Sequence, residues 1–238
     1  MPYSTKNRRM SDKRVVIAID GPAGAGKSTL AKRLAEKLGF VYINTGAIYR
    51  ALTLWALRLG VDLNDMYRLE QLAKEARIEL GSGDRVLLNG EDVTAAIREG
   101  GISDAASKVS AVPGVRRALL AVQRGMAEQN NVVMEGRDIG TVVFPEAQVK
   151  IFLDAQPVER ARRRALELRK RGQQSDEQNV ASDLIRRDER DRERKEAPLM
   201  QAPDAEFVDT TGLSLEQVEE VVLRLVRART SNGKAAAS

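Results

Sequence analysis

The chain has 238 residues, enough for one large α/β domain carrying an inserted subdomain, and its 42% hydrophobic and 31% charged content is that of a soluble globular fold. It contains no cysteine and no histidine, which excludes disulfides, thiolate nucleophiles, Cys/His zinc sites and a histidine general base. The net charge of +5 calls for an anionic partner, while an aromatic content of 4% leaves few stacking platforms and so favours small phosphates over nucleic acid.

Residues 1–14 are polar and basic and lack the apolar segment of a secretory signal, so they read as a flexible extension. No later stretch approaches the roughly 20 apolar residues of a membrane span, and the expectation is a cytoplasmic protein with no membrane partner. Apolar runs at Val15–Ile19, Phe40–Ile43, Val132–Met134, Val149–Leu153 and Phe207–Val208 read as strands covered on both faces. Helical patterns lie between them at Ser28–Leu38, Ala47–Leu59, Met66–Ala76, Ile102–Ser110, Gly114–Gln129, Val158–Arg171, Ala181–Lys195 and Leu215–Arg229. This alternation predicts a mostly parallel, doubly wound α/β sheet. Between Arg77 and Val93 the period changes to two around Gly81-Ser82-Gly83-Asp84, which predicts a hairpin inside an insertion over residues 61–104. Residues 230–238 read as a disordered tail.

The first strand runs into Gly21-Pro22-Ala23-Gly24-Ala25-Gly26-Lys27-Ser28, followed by Thr29. This is G-x-x-x-x-G-K-[ST] between a strand and a helix, where glycines let successive amides converge on phosphate oxygens. The helix adds its positive end, Lys27 reaches the β and γ phosphates, and the Ser28 hydroxyl takes Mg²⁺. Residues 21–29 are therefore the expected ATP site. Glu135 closes the strand Val132–Met134 and is a candidate for holding Mg²⁺ through water, with a strand-end solubilising charge as the plainer alternative. Thr45 is either a helix N-cap or a ligand contact at the carboxyl end of a strand. Eleven arginines fall between Arg160 and Arg194, and solvation of two helices accounts for most such runs. Arg187, Arg190, Asp191 and Arg194 nevertheless share one helical face, while Arg192 points away.

NTGAIYR, GRDIGTVVFP, VKIFLDA and RRDERDR with the following Ala197-Pro198 together resemble bacterial cytidylate kinase, in order, from about Val15 to Arg229. The resemblance implies a P-loop nucleoside monophosphate kinase fold over residues 15–229, with a five-stranded parallel core, a monophosphate-binding region enlarged by the insertion, and a mobile lid at residues 157–195. It implies transfer of the γ-phosphate of ATP to CMP or dCMP with Mg²⁺, by a chain expected to be a monomer. Carried over by position, Ser107, Arg116 and Asp138 resemble the cytosine-reading set, Asp191 the sugar contact, and Arg50, Arg137 and Arg194 the ligands of the acceptor phosphate. Thr45 stands where relatives often have serine. Lys27, Arg137, Arg190 and Arg194 are the expected catalytic cations. A carboxylate at 138 suits cytosine, whose exocyclic amine donates, better than uracil, which presents a carbonyl there. Rival readings are a kinase for another acceptor such as UMP, or a nucleotide-controlled nucleic-acid-binding protein.

Overall fold

The structure is a computed structural model that describes residues 14–172 and 176–235. All of the expected basic extension except Arg14, and residues 236–238 of the expected tail, lie outside the described residues. Five strands form the main sheet: β1 (Val16–Asp20), β2 (Val41–Asn44), β6 (Val132–Gly136), β7 (Val149–Asp154) and β8 (Glu206–Asp209), in the order β2-β6-β1-β7-β8. Every pairing is parallel, as the run of doubly covered apolar strands requires. β1 is buried along its whole length at the centre. Its side chains alternate, so Ile17 and Ile19 pack with α1 (Lys27–Leu38) and α8 (Leu215–Ala235), whereas Val16 and Ala18 pack with Ile139 and Val143 on the opposite face.

A second apolar core lies beside this sheet. It joins α2 (Thr45–Arg58), α3 (Met66–Glu75), α4 (Ile102–Ser110) and α5 (Pro113–Gly125) to a small antiparallel sheet of β3 (Ile78–Leu80), β4 (Val86–Leu88) and β5 (Glu91–Asp92). The expected hairpin is thus the first two strands of three. β5 has two exposed, acidic residues, too short and too polar to register as a strand by alternation. The same apolar cluster extends into α2, α4 and α5, beyond the 61–104 window.

Helices α6 (Pro157–Lys170) and α7 (Glu177–Glu193) cover the carboxyl end of the main sheet, and Leu184 and Val180 of α7 meet Ala161 and Ala165 of α6. Asp176 caps α7 by accepting from the amides of Gln178 and Asn179, which starts the helix earlier than the apolar pattern placed it. α8 continues to Ala235, past the expected end at Arg229 and into the segment expected to be a tail.

Candidate active site

The phosphate loop is held open by its backbone. Gly21 has φ of 145°, and a Cβ there would stand 1.9 Å from the Leu153 carbonyl oxygen, so no other residue fits beside β7. Gly26 precedes α1 in the left-handed region and supplies no side-chain cap, leaving the first amides of the helix free for an anion. Lys27 is 6% exposed and donates to the Pro22 carbonyl at 2.6 Å. Burial, and then the nearby Arg137, push its ammonium down to about 7.

Two cavities open at the carboxyl end of the sheet and meet. The larger, of about 550 Å³, is bounded by Ala23, Gly24, Lys27, Ser28 and Thr29 of the loop and by Glu135 across from them. Ser28 Oγ donates to Glu135 Oε2 at 2.9 Å, while Tyr42 donates to Oε1 at 2.5 Å. A hydroxyl and a carboxylate are hard oxygen donors, and this pair suits a magnesium ion that keeps most of its water and phosphate ligands. The smaller cavity, of about 50 Å³, is lined by all of Thr45, Arg50, Ser107, Arg116, Arg137, Asp138, Asp191 and Arg194. Arg50, Arg137 and Arg187 border both.

Inside the smaller cavity the charges are sorted. Arg116 and Arg194 pair with the two oxygens of Asp138, and Arg116 also donates to the Ser110 carbonyl at 3.2 Å and stacks over Tyr49. Arg137 Nε donates to Asp191 Oδ2 at 2.9 Å. Burial works to raise the Asp191 carboxyl, but Arg137, Arg187 and Arg194 outweigh it and hold it below the usual carboxylate range. Ser107 Oγ is buried with no hydrogen-bond partner. Thr45 donates to the Glu135 carbonyl at 2.8 Å, so its hydroxyl ties α2 to β6; it is not the N-cap of α2, a role taken by Asn44.

Of the three cations at the junction, Arg137 is paired with Asp191, while Arg50 and Arg187 make no salt bridge among the described residues. Burial pushes Arg187 down to about 9, with Arg137 adding to the effect, and its Nε has no hydrogen-bond partner. Burial also pushes Arg50 down to about 10. Such crowding is relieved by an anion and by little else. Arg190, expected among the catalytic cations, borders neither cavity and instead pairs with Asp104 of α4. Arg187 takes the place facing the junction; its spacing of four residues before Asp191 was the available signal. Asp20 had a weaker one, as an acid ending a strand before the loop. It is 4% exposed and accepts from the amides of Ile139 at 2.8 Å and Gly140 at 2.7 Å, which anchors the π-helical turn Ile139–Val143 beside Asp138.

A phosphate loop opening a parallel sheet, set against a second cation-lined cavity, defines a P-loop kinase. The chain belongs to the cytidylate kinase family, whose sequence profile matches residues 17–228. It is 59% identical over 224 residues to the cytidylate kinase of Solibacter usitatus (strain Ellin6076), covering 93% of this chain and 96% of that one. Identity to the cytidylate kinase of Geobacillus kaustophilus (strain HTA426) is 52% over 220 residues, covering 91% and 98%. The fold is shared with an uncharacterized protein of Eubacterium ventriosum at a TM-score of 0.50 and 12% identity, over 89% of this chain and 97% of that one. No helix among the described residues is long and apolar enough to cross a membrane.

Proposed function

We propose that the chain transfers the γ-phosphate of ATP to CMP and dCMP, giving ADP and the pyrimidine diphosphate, as a monomer whose two cavities are built from one chain. The carrying observation is the shared wall of Arg50, Arg137 and Arg187, which brings a donor cavity under the phosphate loop against an acceptor cavity lined by Ser107, Arg116 and Asp138. The family match and the named relatives favour this over a UMP kinase or a nucleic-acid regulator.

ATP would displace Lys27 from the Pro22 carbonyl and take its charge at the β and γ phosphates. The three junction cations would hold the transferring group and the acceptor phosphate in line and stabilise charge on the equatorial oxygens. The acceptor oxygen is already anionic, so transfer needs no general base, in keeping with a chain that has no histidine. Ser28 and Glu135 would hold Mg²⁺, which neutralises phosphate charge. Asp138 and Ser107 would read the amine and an acceptor edge of cytosine, and Asp191, ionised among its arginines, would accept from a sugar hydroxyl.

The test is a coupled ADP-release assay with ATP and each of CMP, dCMP, UMP and AMP. CMP and dCMP should lead the series, and Lys27→Ala should lose at least about a hundredfold in kcat, the loss typical of a missing charge-stabilising donor. Equal turnover of UMP, or full activity of the Lys27 variant, would reject the assignment.

A further inference from the structure

Helix α7 carries different equipment on two adjoining faces. Arg187, Asp191 and Arg194 line the acceptor cavity. Asp188 is 2% exposed and turns instead toward α6 and the phosphate loop. Its Oδ2 accepts from Arg160 Nη1 at 2.5 Å, and its Oδ1 accepts from the Ala23 amide at 3.4 Å. The same Arg160 Nη1 donates to the Ala23 carbonyl at 3.1 Å, so one ion pair grips both polar groups of a phosphate-loop residue. Arg160 is itself 5% exposed and is anchored by Nε to the Ala155 carbonyl at 3.0 Å, just beyond β7. The first turn of α6 leaves no slack beside the loop, because a Cβ on Gly24 would come within 2.9 Å of the Arg160 carbonyl oxygen.

Packing α6 on α7 does not call for charge. Removing two ions from water is costly, and apolar residues of similar size commonly hold such a seam as well or better. The ion pair here has hydrogen-bonding capacity that an apolar pair lacks, and it directs that capacity to Ala23. A helix is stiff over one turn, so whatever fixes Asp188 relative to the loop also fixes Arg187 and Asp191 beside it.

We propose that Arg160 and Asp188 form a positioning clasp that couples the donor cavity to the acceptor cavity, by holding the cation face of α7 at a set distance from the phosphate loop. The clasp rests on the assignment of ATP to the loop and CMP to the smaller cavity. Neither residue touches the reacting atoms. Their effect is on the alignment of two bound nucleotides, where errors on the order of an ångström cost up to about a hundredfold in rate.

The experiment is calorimetric titration of CMP into the whole chain with and without adenylyl imidodiphosphate, a non-hydrolysable ATP analogue, alongside steady-state kinetics. In the wild type the analogue should change the Kd of CMP by at least about fivefold, the lower end of typical couplings between sites. Asp188→Asn should bring that ratio to within about twofold of unity and lower kcat at least about tenfold, with the Kd for CMP alone held within about threefold. The double variant Arg160→Met/Asp188→Leu keeps the seam packed and covers the case in which the single variant fails to fold. It should retain the wild-type Tm within a few degrees while still lacking the coupling. A double variant with full kcat and full coupling would show the pair to be packing alone and overturn the clasp. So would an uncoupled wild type, an Asp188→Asn variant with undiminished coupling, or one that loses affinity for CMP by itself. A wild type that fails to phosphorylate CMP overturns the underlying assignment instead.

Discussion

Arg137, directly after β6, donates from Nε to Asp191 on α7 at 2.9 Å, so a residue that borders both cavities is bonded across the cleft to the carboxylate beside the acceptor. The neighbouring Asp138 makes a parallel link, to Arg116 of α5 and to Arg194 following α7. The two acids after β6 and on α7 therefore distribute three arginines that would otherwise repel one another.

Asp138→Ala should lower the ratio of kcat/KM for CMP over that for UMP by at least about tenfold, through a loss on CMP, as expected when a buried charged partner is removed. It should also lower stability by about 3 kcal/mol, because Arg116 and Arg194, 7% and 8% exposed, are left without this carboxylate. Steady-state kinetics with both nucleotides and urea unfolding check the two parts, and an unchanged ratio would move base recognition to another residue.

Ser107→Ala separates binding from folding. The Ser107 hydroxyl is buried without a partner in the protein, so its removal should leave Tm unchanged or slightly raised. The kcat/KM for CMP should fall about three- to tenfold, the worth of one neutral hydrogen bond. A drop in Tm with unaltered kinetics would assign the serine to the fold.

Among the arginines of α7, Arg187→Ala should cost at least about a hundredfold in kcat, since it removes an unpaired cation at the junction of the cavities. Arg190→Ala and Arg192→Ala should stay within about threefold, as surface substitutions usually do. Kinetics on the three purified variants decide this, and equal losses would mean that the helix acts through diffuse charge.

Asp20 gives a pH signature. Burial raises its carboxyl to about 6 from 3.8, against the two amides that favour the ionised form. The folded chain then binds more protons than the unfolded chain between those values, so stability from this group is complete below about 4 and is lost as pH rises through about 6. The stability margin of the wild type over Asp20→Asn should narrow by up to about 3 kcal/mol from pH 4 to pH 7, measured by urea unfolding at each pH. A constant or widening margin would show that Asp20 is ionised throughout.

How much of this was legible beforehand depended on range. The phosphate loop is a local motif, and Val15–Ile19, Val132–Met134 and Val149–Leu153 are apolar runs that fall on β1, β6 and β7, so their roles follow from neighbouring residues alone. The acceptor set came from resemblance; spacing alone offered no reason to join Ser107, Arg116 and Asp138. Three features were hidden for a common reason. The π-helical turn Ile139–Val143 depends on Asp20, the inward turn of Asp188 depends on Arg160, and the outward turn of Arg190 depends on Asp104. Each is decided by a partner distant in sequence, and periodicity on one helix cannot distinguish Arg187 from Arg190 when both lie on the same broad face.

The place of β1 at the middle of a parallel sheet bears on how the chain is made. Val16 hydrogen-bonds through its amide to Gln148, 132 positions later, and both neighbours of β1 are strands from the second half of the chain. On the ribosome, the strand that leads into the phosphate loop emerges before β6 and β7 and waits unpaired until they follow it. Pairings of such long range are slow to form and expose strand edges meanwhile. The insertion, whose helices and small sheet lie close together in sequence, can gather its own core during that interval. Synthesis thus runs through a stage in which the acceptor-side subdomain is taking shape while the nucleotide loop still lacks the Leu153 carbonyl that its first glycine must fit against.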